Sequence, residues 1–221
     1  MKERKFDLII FDFDGVLVEF RWEWIYEAYL AVLKSEGIDP NKFFKNLDEF
    51  KDGSWGGNND GRSNFKILGV KDTKKAYEIY YDSYNQHIQV LPHVKNLLNS
   101  LLKAGYFLAV VTNRHAHNAT DLLGPLSFYF DAIVGAEDVK KFKPDPEGIN
   151  IVLKEFKQFN VRKERTVIIG DSPYDIKAGK LAKIKTAAVI WEYGAHDVAK
   201  CGIEESDFTI ETAEDFYNLF L

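Results

Sequence analysis

The stretch KFDLIIFDFDGVLVEF (5–20) decides how the rest of this chain is read. Leu8, Ile9, Ile10 and Phe11 form an unbroken apolar run, the pattern of a short strand covered on both faces. The run stops at two carboxylates, Asp12 and Asp14, with Gly15 behind them. Apolar runs of the same kind recur at 106–111, 132–134, 166–169 and 186–190, and helical patterns lie between them at 93–105, 146–159 and 173–184. Strands alternating with helices from about residue 90 onward predict an α/β fold: a Rossmann-like parallel sheet with helices on both faces. Residues 17–88 break that alternation. They read as helices at 22–37, near 40–50 and at 73–88, with the glycine- and asparagine-rich DGSWGGNNDGR (52–62) between the last two. The expected organisation is an α/β core of 1–16 and 89–221, with a small helical cap, 17–88, inserted after the first strand.

Composition narrows the function. In 221 residues, 46% hydrophobic and 29% charged side chains exclude a disordered chain. A formal charge of −5 gives no overall field to attract nucleic acid or an anionic membrane, so neither is expected as a partner. The single cysteine, Cys201, cannot form an internal disulfide and fits a reducing compartment. No apolar run approaches the roughly 20 residues of a membrane span, and Asp12 and Asp14 interrupt the first run too early for a secretory signal. A soluble, cytoplasmic protein is expected.

In open α/β sheets ligands bind just outside the carboxyl ends of the strands. There the sequence places Asp12 and Asp14 after the first run, Thr112 and Asn113 after the second, Lys143 beyond the third, and Asp171, Ser172 and Asp175 after the fourth. Converging carboxylates cannot all ionise without a counter-charge. A divalent cation with oxygen ligands supplies one, and Mg²⁺ suits a few carboxylates plus water and a phosphate. Lys143 and Thr112 would then hold phosphate oxygens by charge and hydrogen bond. The set describes phosphoryl transfer.

FDFDGVL (11–17), VVTN (110–113), KPDP (143–146) and GDSPYD (170–175) resemble, in this order, the four motifs of the haloacid dehalogenase superfamily. Pro92, in VLPHVKNLL, and the helical insert resemble its phosphoglycolate-phosphatase-like branch. The resemblance implies a Mg²⁺-dependent phosphatase acting on a small phosphorylated metabolite. It makes Asp12 the nucleophile that becomes an aspartyl phosphate, and Asp14 the general acid and then base. Thr112 and Asn113 would bind the phosphoryl group, and Lys143 would neutralise it and steady Asp12. Asp12, Asp171 and Asp14, the last through its backbone carbonyl, would hold the metal. Asp175 would be a further ligand or a carboxylate orienting water and Lys143. Asp14 separates the chain from the dehalogenases of this family, whose halide leaving group needs no proton.

Other readings stay open. A phosphomutase uses the same residues but returns the phosphoryl group to substrate, and a non-catalytic domain would only bind a phosphorylated ligand or a protein. Arg62, in GRSNFKIL (61–68), faintly resembles the cap loop of sugar-phosphate members and would grip a second anionic group; a solvated helix-start arginine explains it equally well. Trp55 shares that loop and is read as lining the pocket. The aromatic group Phe20, Trp22, Trp24, Tyr26 and Tyr29 reads as cap core before it reads as a base or sugar platform. His115 and His117, two apart in an expected helix, point to different faces and read as surface histidines. The chain departs from the family pattern at Ala182-Lys183, where Ala-Gly is usual, and at Trp191-Glu192, where Trp-Gly is usual.

Overall fold

The computed structural model describes residues 4–52, 61–191 and 205–221, the side chains of 61–63 excepted. Trp55 and Cys201 lie outside the described residues. The chain divides into two compact units, one of Met1–Glu19 with Gln89–Leu221 and one of Phe20–Ile88.

The larger unit opens with β1 (Leu8–Phe11). The smaller unit is helical, with α1 (Trp22–Ser35), α2 (Leu47–Asp52), α3 (Gly61–Ile67) and α4 (Thr73–Asn85). The helix expected near 40–50 is two pieces. Pro40–Lys42 is a single 3₁₀ turn, begun by Asp39 accepting from the Asn41 N–H at 3.0 Å. α2 starts afresh where the Asn46 side chain accepts from the Glu49 N–H at 2.9 Å. Tyr29 sits at the centre of this unit, with its ring 5.1 Å from both Phe50 and Phe65 and 5.6 Å from Tyr80. Trp22 and Tyr26 also pack edge-on against Phe50. Burial pushes the Tyr29 phenol up to about 12, partly opposed by its hydrogen bond with Asn64. The aromatic residues of α1 are therefore packing residues of their own unit.

The larger unit continues with α5 (Val94–Lys103), β2 (Phe107–Val111), α6 (Ala116–Leu123), β3 (Ala132–Val134), α7 (Glu147–Phe156), β4 (Thr166–Gly170), α8 (Pro173–Ala182), β5 (Lys185–Val189), β6 (Phe208–Ile210) and α9 (Ala213–Phe220). The strands form one parallel sheet in the order β3-β2-β1-β4-β5-β6. β1 is central and its four residues are buried. Leu8 and Ile10 join Val111, Ile149, Val152 and Ile168 on one face. On the other, Phe11 stacks on Phe216 of α9 with ring centroids 6.0 Å apart. The alternating strands and helices thus give the expected α/β fold.

The strand order reverses between β1 and β4, which is where such sheets form a ligand crevice. Phe11 is in register with Ile169, so Asp12 and Asp171 leave neighbouring strands at the same level. The Asp12 N–H continues the ladder to the Ile169 carbonyl at 2.8 Å.

Candidate active site

The switch point gathers the acidic residues predicted from the strand ends. One carboxylate oxygen each from Asp12, Asp171 and Asp175 lie within 4.8 Å of one another, and all three residues are buried. Lys143 reaches into this group. Its Nζ donates to Asp12 Oδ1 and to Asp175 Oδ1, both at 2.6 Å.

Each side chain is held by its local structure. Asp175 stands in the first turn of α8, where its Oδ2 accepts from the Ser172 hydroxyl at 2.5 Å and the Ser172 N–H at 3.2 Å. Its own N–H donates to the Ser172 carbonyl. With Oδ1 on Lys143 and Oδ2 on Ser172, Asp175 orients both the lysine and the turn after β4. Gly170 makes room for it: a Cβ there would lie 2.2 Å from the Asp175 Cβ. The Lys143 backbone is clamped by Asn113, whose side chain accepts from the Lys143 N–H at 2.9 Å and donates to its carbonyl at 3.1 Å. The following Lys143–Pro144 peptide is cis. Asn113 therefore acts on the lysine's loop.

Asp14 is outside this cluster of three, although its charge helps to raise the Asp12 pKa. The Arg114 guanidinium grips it as a fork, Nη2 to Oδ1 at 2.8 Å and Nε to Oδ2 at 3.2 Å. Arg114 is 4% exposed, and its guanidinium also lies over the Phe13 ring at 5.5 Å. Thr112, buried at the end of β2, accepts from the Arg114 N–H at 3.0 Å. The Gly15 carbonyl accepts from the Trp191 indole at 2.8 Å, pinning the turn that carries Asp14. The side chain of Arg62 lies outside the described residues.

Arg114 was not singled out from the sequence. Its signal was its place, a charged residue immediately after Thr112 and Asn113, but nothing in the sequence distinguishes a buried arginine there from a solvated one. Trp191 was noted only for its neighbour, and its indole bond to Gly15 is legible only in three dimensions.

Burial and mutual charge set the electrostatics of the cluster. Burial pushes the Asp12 carboxyl up to about 7, helped by the charge of Asp175 and opposed by Lys143. Burial would pull the Lys143 ammonium down, but Asp12 and Asp175 together outweigh it and hold the group above the ordinary lysine value. The Lys143 ammonium serves Asp12 and Asp175, and Asp171 stands beside them. That oxygen-only donor set of three carboxylates fits a metal cation.

The family of haloacid dehalogenase-like hydrolases matches residues 9–189. The chain belongs to this family. A protein of Caldanaerobacter subterraneus subsp. tengcongensis named for the pyrophosphatase PpaX is 34% identical over 140 residues, 62% of this chain and 61% of that protein. The phosphoglycolate phosphatase of Aquifex aeolicus is 29% identical over 218 residues, 96% of this chain and 95% of its own length. Among solved structures, a Thermotoga maritima protein described as a β-phosphoglucomutase aligns at a TM-score of 0.70 and 26% identity, over 96% of this chain and 98% of that one. This hydrolase thus shares its family and fold with proteins named as phosphatases. Among its described residues, no helix is long and apolar enough to cross a membrane.

Proposed function

We propose that this hydrolase is a Mg²⁺-dependent phosphatase that cleaves a small phosphorylated metabolite through an aspartyl phosphate on Asp12. The observation that carries the reading is the Lys143 ammonium bridging Asp12 and Asp175, with Asp171 beside them. Asp12 and Asp171 would hold Mg²⁺, with Asp175 in reach and the Asp14 backbone carbonyl as a further ligand. Bound there, the ion would supply positive charge and screen the phosphoryl oxygens.

The residues divide the work. A carboxylate oxygen of Asp12 attacks phosphorus, the bond to the leaving oxygen breaks, and an acyl phosphate forms. Lys143 and the Thr112 hydroxyl stabilise the transferring phosphoryl group. Asp14 protonates the leaving oxygen, then takes a proton from the water that attacks the acyl phosphate and frees inorganic phosphate. The Arg114 fork on both Asp14 oxygens fixes where this carboxylate stands. Asn113 serves by fixing the Lys143 loop. The unit of 20–88 is the cap that selects the substrate, with Arg62 as its anion-binding residue.

The test is inorganic phosphate release from a panel of metabolite phosphates, with Mg²⁺ and with EDTA. Turnover that EDTA abolishes is expected; a folded, Mg²⁺-loaded protein silent across the panel overturns the reading. The likeness to the T. maritima protein favours one second reading, a mutase, in which a sugar 1-phosphate yields an isomer in place of phosphate.

A further inference from the structure

Beyond the ends of β2 and β3, two histidines and a glutamate face one another. His115 is not in a helix: it precedes α6 in extended backbone, φ −62° and ψ 134°, while His117 lies in the first turn. The expectation that the two rings point apart fails for that reason, and their centroids are 5.4 Å apart. Both turn Nδ1 toward Glu137. His115 Nδ1 is 3.6 Å from Oε2, and His117 Nδ1 is 3.3 Å from Oε1. One donor atom from each of the three residues lies within 4.8 Å of the others. Two ligands bound at 2.0–2.1 Å to a tetrahedral cation stand roughly 3.3–3.5 Å apart, so both imidazole–carboxylate separations are close to those of a coordination sphere.

The cluster is fixed by the backbone around it. The Ala116 N–H donates to Glu137 Oε2 at 2.8 Å, and the Ala136 N–H donates to the Arg114 carbonyl at 2.9 Å. At Gly135 a Cβ would lie 2.2 Å from the Ala116 nitrogen, so only glycine lets the two loops approach this closely. The Asn118 amide is 2.8 Å from His117 Nε2. A half-turn of that amide presents Oδ1 to an Nε2–H, the tautomer that leaves Nδ1 free to bind a metal. The His117 and Glu137 side chains are 66% and 35% exposed, which leaves a water-facing position for a further ligand.

We infer that His115, His117 and Glu137 form a second cation site, separate from the carboxylate cluster, for a borderline-soft divalent ion of the Zn²⁺ class. Two imidazoles and one carboxylate suit Zn²⁺, Co²⁺ or Ni²⁺, whereas the oxygen-only cluster suits Mg²⁺. Three protein ligands with one open position is an arrangement such ions accept.

The test is Co²⁺ titration of the untagged full chain in saturating Mg²⁺, read by visible absorption and reversed by Zn²⁺. One equivalent of tetrahedral Co²⁺ is expected. His117→Ala and Glu137→Gln, each checked for fold by circular dichroism, should weaken it by more than about tenfold, since even an outer partner of a metal ligand is typically worth roughly 10–100-fold. Asp171→Asn should leave it intact. Failure to bind Co²⁺ in the presence of Mg²⁺, or binding that His117→Ala and Glu137→Gln do not change, overturns the proposal.

Discussion

The Lys143 ammonium serves two carboxylates at once, so its removal strands both. Breaking a buried ion pair by deleting one partner costs roughly 3–5 kcal/mol. Lys143→Ala is therefore expected to lower stability by a few kcal/mol in urea unfolding and to abolish turnover. The Arg114–Asp14 fork makes a separate prediction. Arg114→Met should lower kcat by roughly 10–100-fold, a share of what general acid–base catalysis is worth, and alter its pH profile while KM changes little. Arg114→Lys should recover part of the rate; an unchanged pH profile would show that the fork is structural only. A third prediction concerns Asp12. Its carboxyl holds a proton up to about 7 in the folded, metal-free protein, whereas a free aspartate loses it near 4. The group thus contributes stability that is fully present below about pH 4 and lost as pH rises through 7. In EDTA, Asp12→Asn should remove that part of the pH dependence, so the gap between variant and wild-type melting temperatures should widen from pH 5.5 to 8.

Among the elements, α8 carries the strongest local evidence. It starts with Ser172 bonded to Asp175 and ends at Lys183, whose φ is 62°, a left-handed position that ordinarily falls to glycine. The family's usual Ala-Gly at 182–183 is thus explained by backbone geometry, and this chain carries an exposed lysine there instead. Lys183→Gly should relieve left-handed strain of about 1–2 kcal/mol, partly offset by glycine's larger unfolded entropy. A net gain of about 0.5–1 kcal/mol in thermal unfolding is expected, with activity unchanged. Gly170→Ala acts in the opposite sense. Its Cβ collides with Asp175, so a loss of roughly 1–3 kcal/mol, as for other overpacked sites, should accompany a fall in kcat as Lys143 loses its support.

For the whole molecule, the parallel sheet was readable because β1, β2, β4 and β5 are apolar runs bounded by polar turns. β6 was not, because in Phe208–Ile210 the polar Thr209 interrupts the apolar pair, leaving no unbroken run such as β3 has. The site was readable to the level of which side chains leave which strand end. It was not readable to the level of which group each one takes. Asn113 turns to the Lys143 backbone and Asp14 to Arg114, and those choices depend on loop geometry with no periodicity to betray it. His115 was misread because the start of α6 falls one residue after it. The net charge of −5 opposes an anionic substrate, so local positive charge must do the binding. Asp12 stands at the centre of that arrangement, and replacing it tests the account most directly. Wild type and Asp12→Asn would be compared for phosphate release from the best substrate in Mg²⁺, each with its melting temperature. The account predicts at least about a thousandfold loss of turnover in a variant that melts no lower than wild type in EDTA. Turnover within tenfold of wild type would contradict it.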